Sequence, residues 1–166
     1  YDALCEEFSV PRPQGIVVTN GFVQAPDGHQ VPIRRYQVGT QASNVQIIYA
    51  HGGGFVVGGL DSHDDICAEL AHQSGLDLLA VDYRLAPEFN YPDDINDCLT
   101  VVDWLLADGH QFILAGDSAG GTLCACVANA RCQLTSSQLL GQVLIYPALV
   151  QVVETPSMVE HAFAPL

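Results

Sequence analysis

The stretch FILAGDSAGGTLCACVANA, residues 112–130, decides the fold. Phe112–Ala115 is apolar and strand-like, and Thr122–Ala130 is a run of small and apolar residues without a breaker, which suits a helix. Between them Gly116-Asp117-Ser118-Ala119-Gly120 fits the pattern GxSxG. A serine at so tight a strand-to-helix turn sits in a strained backbone conformation. The flanking glycines are needed because side chains there would strike neighbouring elements. Strand, glycine-framed serine and helix in this order make Ser118 the candidate nucleophile.

Outward from this stretch, strand-like and helix-like periods alternate. The pattern predicts strands over Ile16–Asn20, Val31–Val38, Val45–Ala50, Asp77–Asp82, Gln111–Ala115 and Gln142–Tyr146, with helices over Asp64–Ser74, Asp93–Ala107 and Ala119–Cys132. Pro26-Asp27-Gly28 is a turn signal that pairs the first two strands antiparallel. The later strands, separated by helices, predict an α/β fold with a mostly parallel sheet covered on both faces.

Composition narrows the function. The chain of 166 residues carries 19 acidic and 5 basic side chains, for a net charge of -14, and every basic residue is Arg. Without lysine there is no phosphate-binding P-loop lysine and no Schiff-base chemistry. Clustered cations for nucleic acid or for an anionic membrane are also missing. The longest apolar runs are strand-length, so no membrane span is expected. Six cysteines without zinc-type pairing, in a chain with an ample core, read as free thiols of a reducing cytoplasm. No metal or cofactor is called for.

A second glycine motif, His51-Gly52-Gly53-Gly54, follows the buried strand Val45–Ala50 directly. Backbone N–H groups on such a loop can approach a developing oxyanion without steric obstruction. It is not a dinucleotide fingerprint, because Val57 stands where the third glycine would be required.

HGGGFVVGG (51–59), DYRLAPE (82–88) and GDSAGG (116–121), in this order and spacing, resemble the hormone-sensitive-lipase-like family of α/β-hydrolases. The resemblance runs from about residue 11 to about residue 150. It implies a carboxylic ester hydrolase acting through an acyl-enzyme on a small-molecule ester, with a short-to-medium acyl chain. It also implies Ser118 as nucleophile, and Gly53, Gly54 and Ala119 as oxyanion-hole donors. His51 would shape the loop, while Tyr83, Arg84 and Glu88 would be architectural. Phe55 and Asp117 are the pocket candidates. Residues 16–150 would form the hydrolase core, 1–15 the remnant of an N-terminal cap, and 151–166 the start of a C-terminal cap region. A homo-oligomer is compatible with all of this.

The triad is where the pattern thins. In this fold the acid and the histidine follow the serine on loops after later strands. Only one helix and one strand are predicted after Ser118, so the acid and base are expected beyond residue 166, in a longer chain of about 300 residues. Glu154 and His161 obey the order but lack the strands that should present them. His29, His63, His72 and His110 precede the serine and read as surface or loop histidines. An alternative of another class is a non-catalytic module that binds a small molecule on the same scaffold.

Overall fold

The computed structural model describes residues 5, 7–39, 44–134, 138–149, 156 and 160. Six strands form one sheet: β1 (Ile16–Gln24), β2 (Gln30–Val38), β3 (Val45–Ala50), β4 (Asp77–Val81), β5 (Gln111–Asp117) and β6 (Leu139–Ile145). Three helices cross over between the parallel strands: α1 (Asp64–Ser74), α2 (Asp93–Ala107) and α3 (Ser118–Ala130). The spatial order is β1-β2-β4-β3-β5-β6. β1 and β2 form an antiparallel hairpin, and β2 also runs antiparallel to β4. The strands from β4 through β3 and β5 to β6 are parallel.

Side-chain alternation splits the core into two layers. On one face Ile48, Ala50, Leu79, Val81 and Leu114 pack with Cys98, Val101, Val102 and Leu105 of α2 and with Leu123, Cys124 and Val127 of α3. On the other, Tyr36, Ile47, Tyr49, Leu78, Ala80 and Ala115 meet the small residues Cys67, Ala68 and Ala71 of α1. Cys67, Cys98 and Cys124 are buried thiols, whereas Cys132 is exposed. Among the described residues no helix is long and apolar enough to cross a membrane.

The element boundaries differ from the sequence reading by one residue at β2 and β4 and by two or more at four other elements. β1 continues through Gly21 to Gln24, because the hairpin ladder pairs Gly21 with Ile33 and needs no side chain there. β5 extends to Asp117, held by pairing with β6. α3 begins at Ser118 itself and ends at Ala130. β6 starts earlier, at Leu139, where a register irregularity at Phe112/Ile113 absorbs the misfit beside Gly141.

The strand order positions the site. From β3 the chain crosses one way to β4, then returns past β3 to β5. Such a reversal opens a crevice at the carboxyl ends of the two strands that diverge, where ligands of open α/β sheets bind. β3 ends at Ala50, level with Gly116 of β5. The two glycine motifs therefore emerge side by side.

Candidate active site

Ser118 has φ +49 and is the first residue of α3, directly after the last residue of β5. A non-glycine residue in the left-handed region at a strand-to-helix junction is the strained turn that a nucleophile elbow requires. Small neighbours permit it. A Cβ on Gly116 would come within 2.6 Å of Ala50 O, and one on Gly120 within 2.5 Å of His51 O. Both glycines let the start of α3 lie against the end of β3. Ala119 is in the first turn of α3, where backbone N–H groups have no partner inside the helix and carry the positive end of its dipole.

On the facing loop Gly53 has φ +125 and Gly54 φ +62. Val56 and Val57 both donate backbone N–H bonds to Gly53 O, at 3.1 Å, closing a tight turn. His51 is 2% exposed, donates Nδ1–H to Gly52 O at 2.8 Å and stacks on Tyr83 at 4.3 Å. The Tyr83 hydroxyl in turn donates to His51 O at 2.6 Å. Burial, with a smaller push from His63, brings the His51 pKa down to about 4 against the bond to Gly52. At neutral pH the imidazole is an uncharged strut, and its Nε2 has no hydrogen-bond partner.

Asp117 joins the two motifs. Its Oδ1 accepts the Tyr49 hydroxyl at 2.8 Å and the Gly52 N–H at 2.9 Å, and lies 3.4 Å from His63 Nε2. The exposed Tyr146 hydroxyl is 3.5 Å from Oδ2. Burial raises the carboxyl, but the donors from His63, Tyr49 and Gly52 outweigh it and hold the pKa below the ordinary aspartate value. Its oxygens serve these internal donors, and a neighbouring cavity is lined by Phe55.

His63 departs most from the sequence reading. Read as a surface or loop histidine, it is 5% exposed, with Nδ1 2.9 Å from Ser62 Oγ. Its place is fixed by Arg34, which binds Asp61 at 2.8 Å and Asp64 at 2.9 Å on either side of it. No sequence signal marks this, since the contact to Asp117 spans the whole β3–β5 crossover. His72 is exposed, and His29 and His110 are partly buried. Among the described residues Ser118 Oγ has no hydrogen-bond partner, and Glu154 and His161 lie outside those residues.

The motif DYRLAPE does structural work at its arginine. Arg84 grips Asp97 with Nε at 2.9 Å and Nη2 at 2.7 Å, and reaches Asp27 at 3.0 Å. This ties α2 to the β1–β2 turn and anchors the segment that carries Tyr83. Glu88 is exposed.

A strained serine at the sheet's switch point, faced by a glycine loop, defines an α/β-hydrolase. The sequence profile of the family described as alpha/beta hydrolase fold matches residues 47–165, and the chain belongs to this family, in its hormone-sensitive-lipase-like esterase branch. It is 38% identical over 145 residues to ethyl acetate hydrolase of Pseudomonas putida, an alignment covering 80% of this chain and 45% of that protein. It is 35% identical over 144 residues to carboxylesterase NlhH of Mycobacterium tuberculosis, covering 82% and 45% respectively. The hyperthermophilic esterase from the archaeon Pyrobaculum calidifontis superposes with a TM-score of 0.86 at 31% identity, over 98% of this chain and 53% of that one. The chain thus spans about half the length of the relatives it matches.

Proposed function

We propose that this chain carries the nucleophile and oxyanion hole of a serine carboxylesterase. Ser118 Oγ gives its proton to a general base and attacks the ester carbonyl carbon. The carbonyl oxygen becomes an oxyanion and accepts N–H bonds from Gly53, Gly54 and Ala119. Collapse of the tetrahedral intermediate breaks the C–O bond, and the alcohol leaves with the base's proton. Water then releases the acid from the acyl-Ser118 ester by the same steps. The base and its orienting acid belong to residues outside the described ones, since His63 is engaged with Asp117 and Ser62. A short-to-medium acyl ester as substrate, and action in the cytoplasm, belong to the same reading.

The observation that carries this reading is the positive φ of Ser118 on the helix terminus beside the His51–Gly54 loop. The unpartnered Ser118 Oγ favours one rival, a scaffold that binds a small molecule without turning it over. Hydrolysis of p-nitrophenyl butyrate by the full-length protein and its Ser118→Ala variant separates the two. Loss of a triad nucleophile lowers turnover by about 10⁶-fold. A variant as active as the wild type, or a wild type without activity, refutes the esterase reading.

A further inference from the structure

The loop that presents Gly53 and Gly54 meets one carboxylate oxygen at both of its ends. It leaves the sheet at Ala50, where β3 stops, and comes back at His63, the residue before α1. At its start the Gly52 N–H donates to Asp117 Oδ1 at 2.9 Å, and at its end His63 Nε2 lies 3.4 Å from the same oxygen. The strands hold that oxygen in place. Asp117 is the last residue of β5, and the Tyr49 hydroxyl of β3 also donates to Oδ1 at 2.8 Å. The next residue along the chain is Ser118.

Arg34 binds Leu60 O at 3.0 Å, Asp61 at 2.8 Å and Asp64 at 2.9 Å, which fixes the backbone on either side of His63. The two ring nitrogens then set the imidazole. Asp117, held below the ordinary aspartate pKa, is a carboxylate and only accepts, so Nε2 carries a proton toward it. Nδ1 lies 2.9 Å from Ser62 Oγ, and that hydroxyl accepts the Gly59 N–H at 2.9 Å and donates to Gly59 O at 3.0 Å. The ring therefore ties the Gly58–Gly59 end of the loop to Asp117. Gly58 in turn lies against the start of the loop, since a Cβ on it would come within 2.6 Å of Gly52 O and of His51 Nδ1. A displaced His63 would be felt at the turn that holds Gly53 and Gly54.

We propose that His63 is a positioning residue of the oxyanion hole: it closes the His51–Ser62 loop onto Asp117 and so keeps the Gly53 and Gly54 N–H groups aimed at the oxyanion beside Ser118. This rests on the reading of Ser118 as nucleophile and of the two glycines as donors. His63 acts through Asp117 and the loop, and its own nitrogens face Asp117 and Ser62. Donors misplaced by about 1 Å forfeit about 10²-fold in rate. The bond to the oxyanion belongs to the transition state, so the loss falls on kcat and not on KM. Acylation and deacylation both pass through an oxyanion, so kcat reports on the hole whichever step limits it.

Two substitutions at this one position test it in the full-length protein. The side-chain amide of glutamine reaches the place of Nε2 and can donate to Asp117, whereas that of asparagine reaches only the place of Nδ1, beside Ser62. With p-nitrophenyl butyrate, His63→Asn should lower kcat about 10²-fold with KM within about threefold of wild type, and His63→Gln should recover at least about tenfold of that loss. Ser62→Ala should lower kcat about threefold to tenfold, again at constant KM. Hydrogen exchange of the peptide spanning residues 51–59 reads the clamp without substrate. Exchange at Gly52–Gly54 should quicken at least about tenfold in His63→Asn and not in His63→Gln. Circular dichroism and thermal melts confirm that each variant is folded at the assay temperature, and Ser62→Ala decides the matter where a His63 variant is not. Equal kcat in the Asn and Gln variants, a loss that falls on KM, loop exchange unchanged in His63→Asn, or a Ser62→Ala protein as active as the wild type overturns the proposal. Hydrolysis that survives Ser118→Ala would refute the nucleophile and the catalytic role of the clamp together. Faster loop exchange in His63→Asn would then leave His63 standing as the closure of the loop alone.

Discussion

Removing the Asp117 carboxylate should unfasten the two halves of the site. In Asp117→Ala the Tyr49 hydroxyl and the Gly52 N–H, both buried, lose their acceptor. Each orphaned buried donor costs about 1–3 kcal/mol. The contact of His63 at 3.4 Å adds less. The expected loss is about 3–5 kcal/mol, or roughly 8–16 °C in Tm for a chain of this size. Asp117→Asn keeps an oxygen for Tyr49 and Gly52 and should cost about 1–2 kcal/mol. The pH dependence has a fixed sign. A carboxyl whose folded pKa lies below its unfolded value stabilises fully above the unfolded pKa, and loses that contribution as pH falls through the folded one. The gap between wild type and Asp117→Asn should therefore be constant at neutral pH and close below pH 3.8. Urea melts of wild type, Asp117→Ala, Asp117→Asn and Tyr49→Phe, with the double variant of the last two sites, measure the coupling. An Asp117→Ala protein as stable as the wild type, or Asn as damaging as Ala, would refute the role of Asp117 as the joint.

Gly53→Ala should destabilise by about 2–4 kcal/mol, because its φ of +125 excludes side chains and its Cβ would run into Val57 O. Gly54→Ala, at φ +62 with open space around it, should cost about 1–2 kcal/mol; thermal melts rank the two. His51, neutral when folded with a pKa of about 4 against 6.5, must take up a proton on acid unfolding. Wild type should thus lose about 3 kcal/mol as pH falls from 6.5 to 4, and His51→Asn should lack that slope in acid-denaturation curves. Arg84→Ala strands the fully buried Asp97 and should cost about 3–5 kcal/mol, with Arg84→Lys falling between it and wild type in chemical denaturation.

Local signals carried far in this sequence. The run from Phe112 to Ala130 encodes its strand, turn and helix in neighbouring residues, and α1, α2 and β3 have the ends that their periodicity implies. Gly21 and Gly141 misled because a glycine weakens a strand intrinsically, whereas a cross-strand partner can hold it in the ladder. The joint of the site was illegible for another reason. Asp117 meets Gly52 65 residues away and Tyr49 68 away, and Arg34 of β2 holds Asp61 and Asp64 on either side of His63. Those partners are chosen by the strand order, in which β5 lies beside β3 and not beside β4. Nothing in the periodicity of the chain states that order.

The central claim is that Ser118 is an activated nucleophile. Mass spectrometry of the full-length protein treated with a fluorophosphonate, with peptide mapping, tests it most directly. A single adduct on the peptide containing Ser118, absent from Ser118→Ala, is the expected result. An adduct on another serine such as Ser62, or a protein that remains unlabelled, would contradict it.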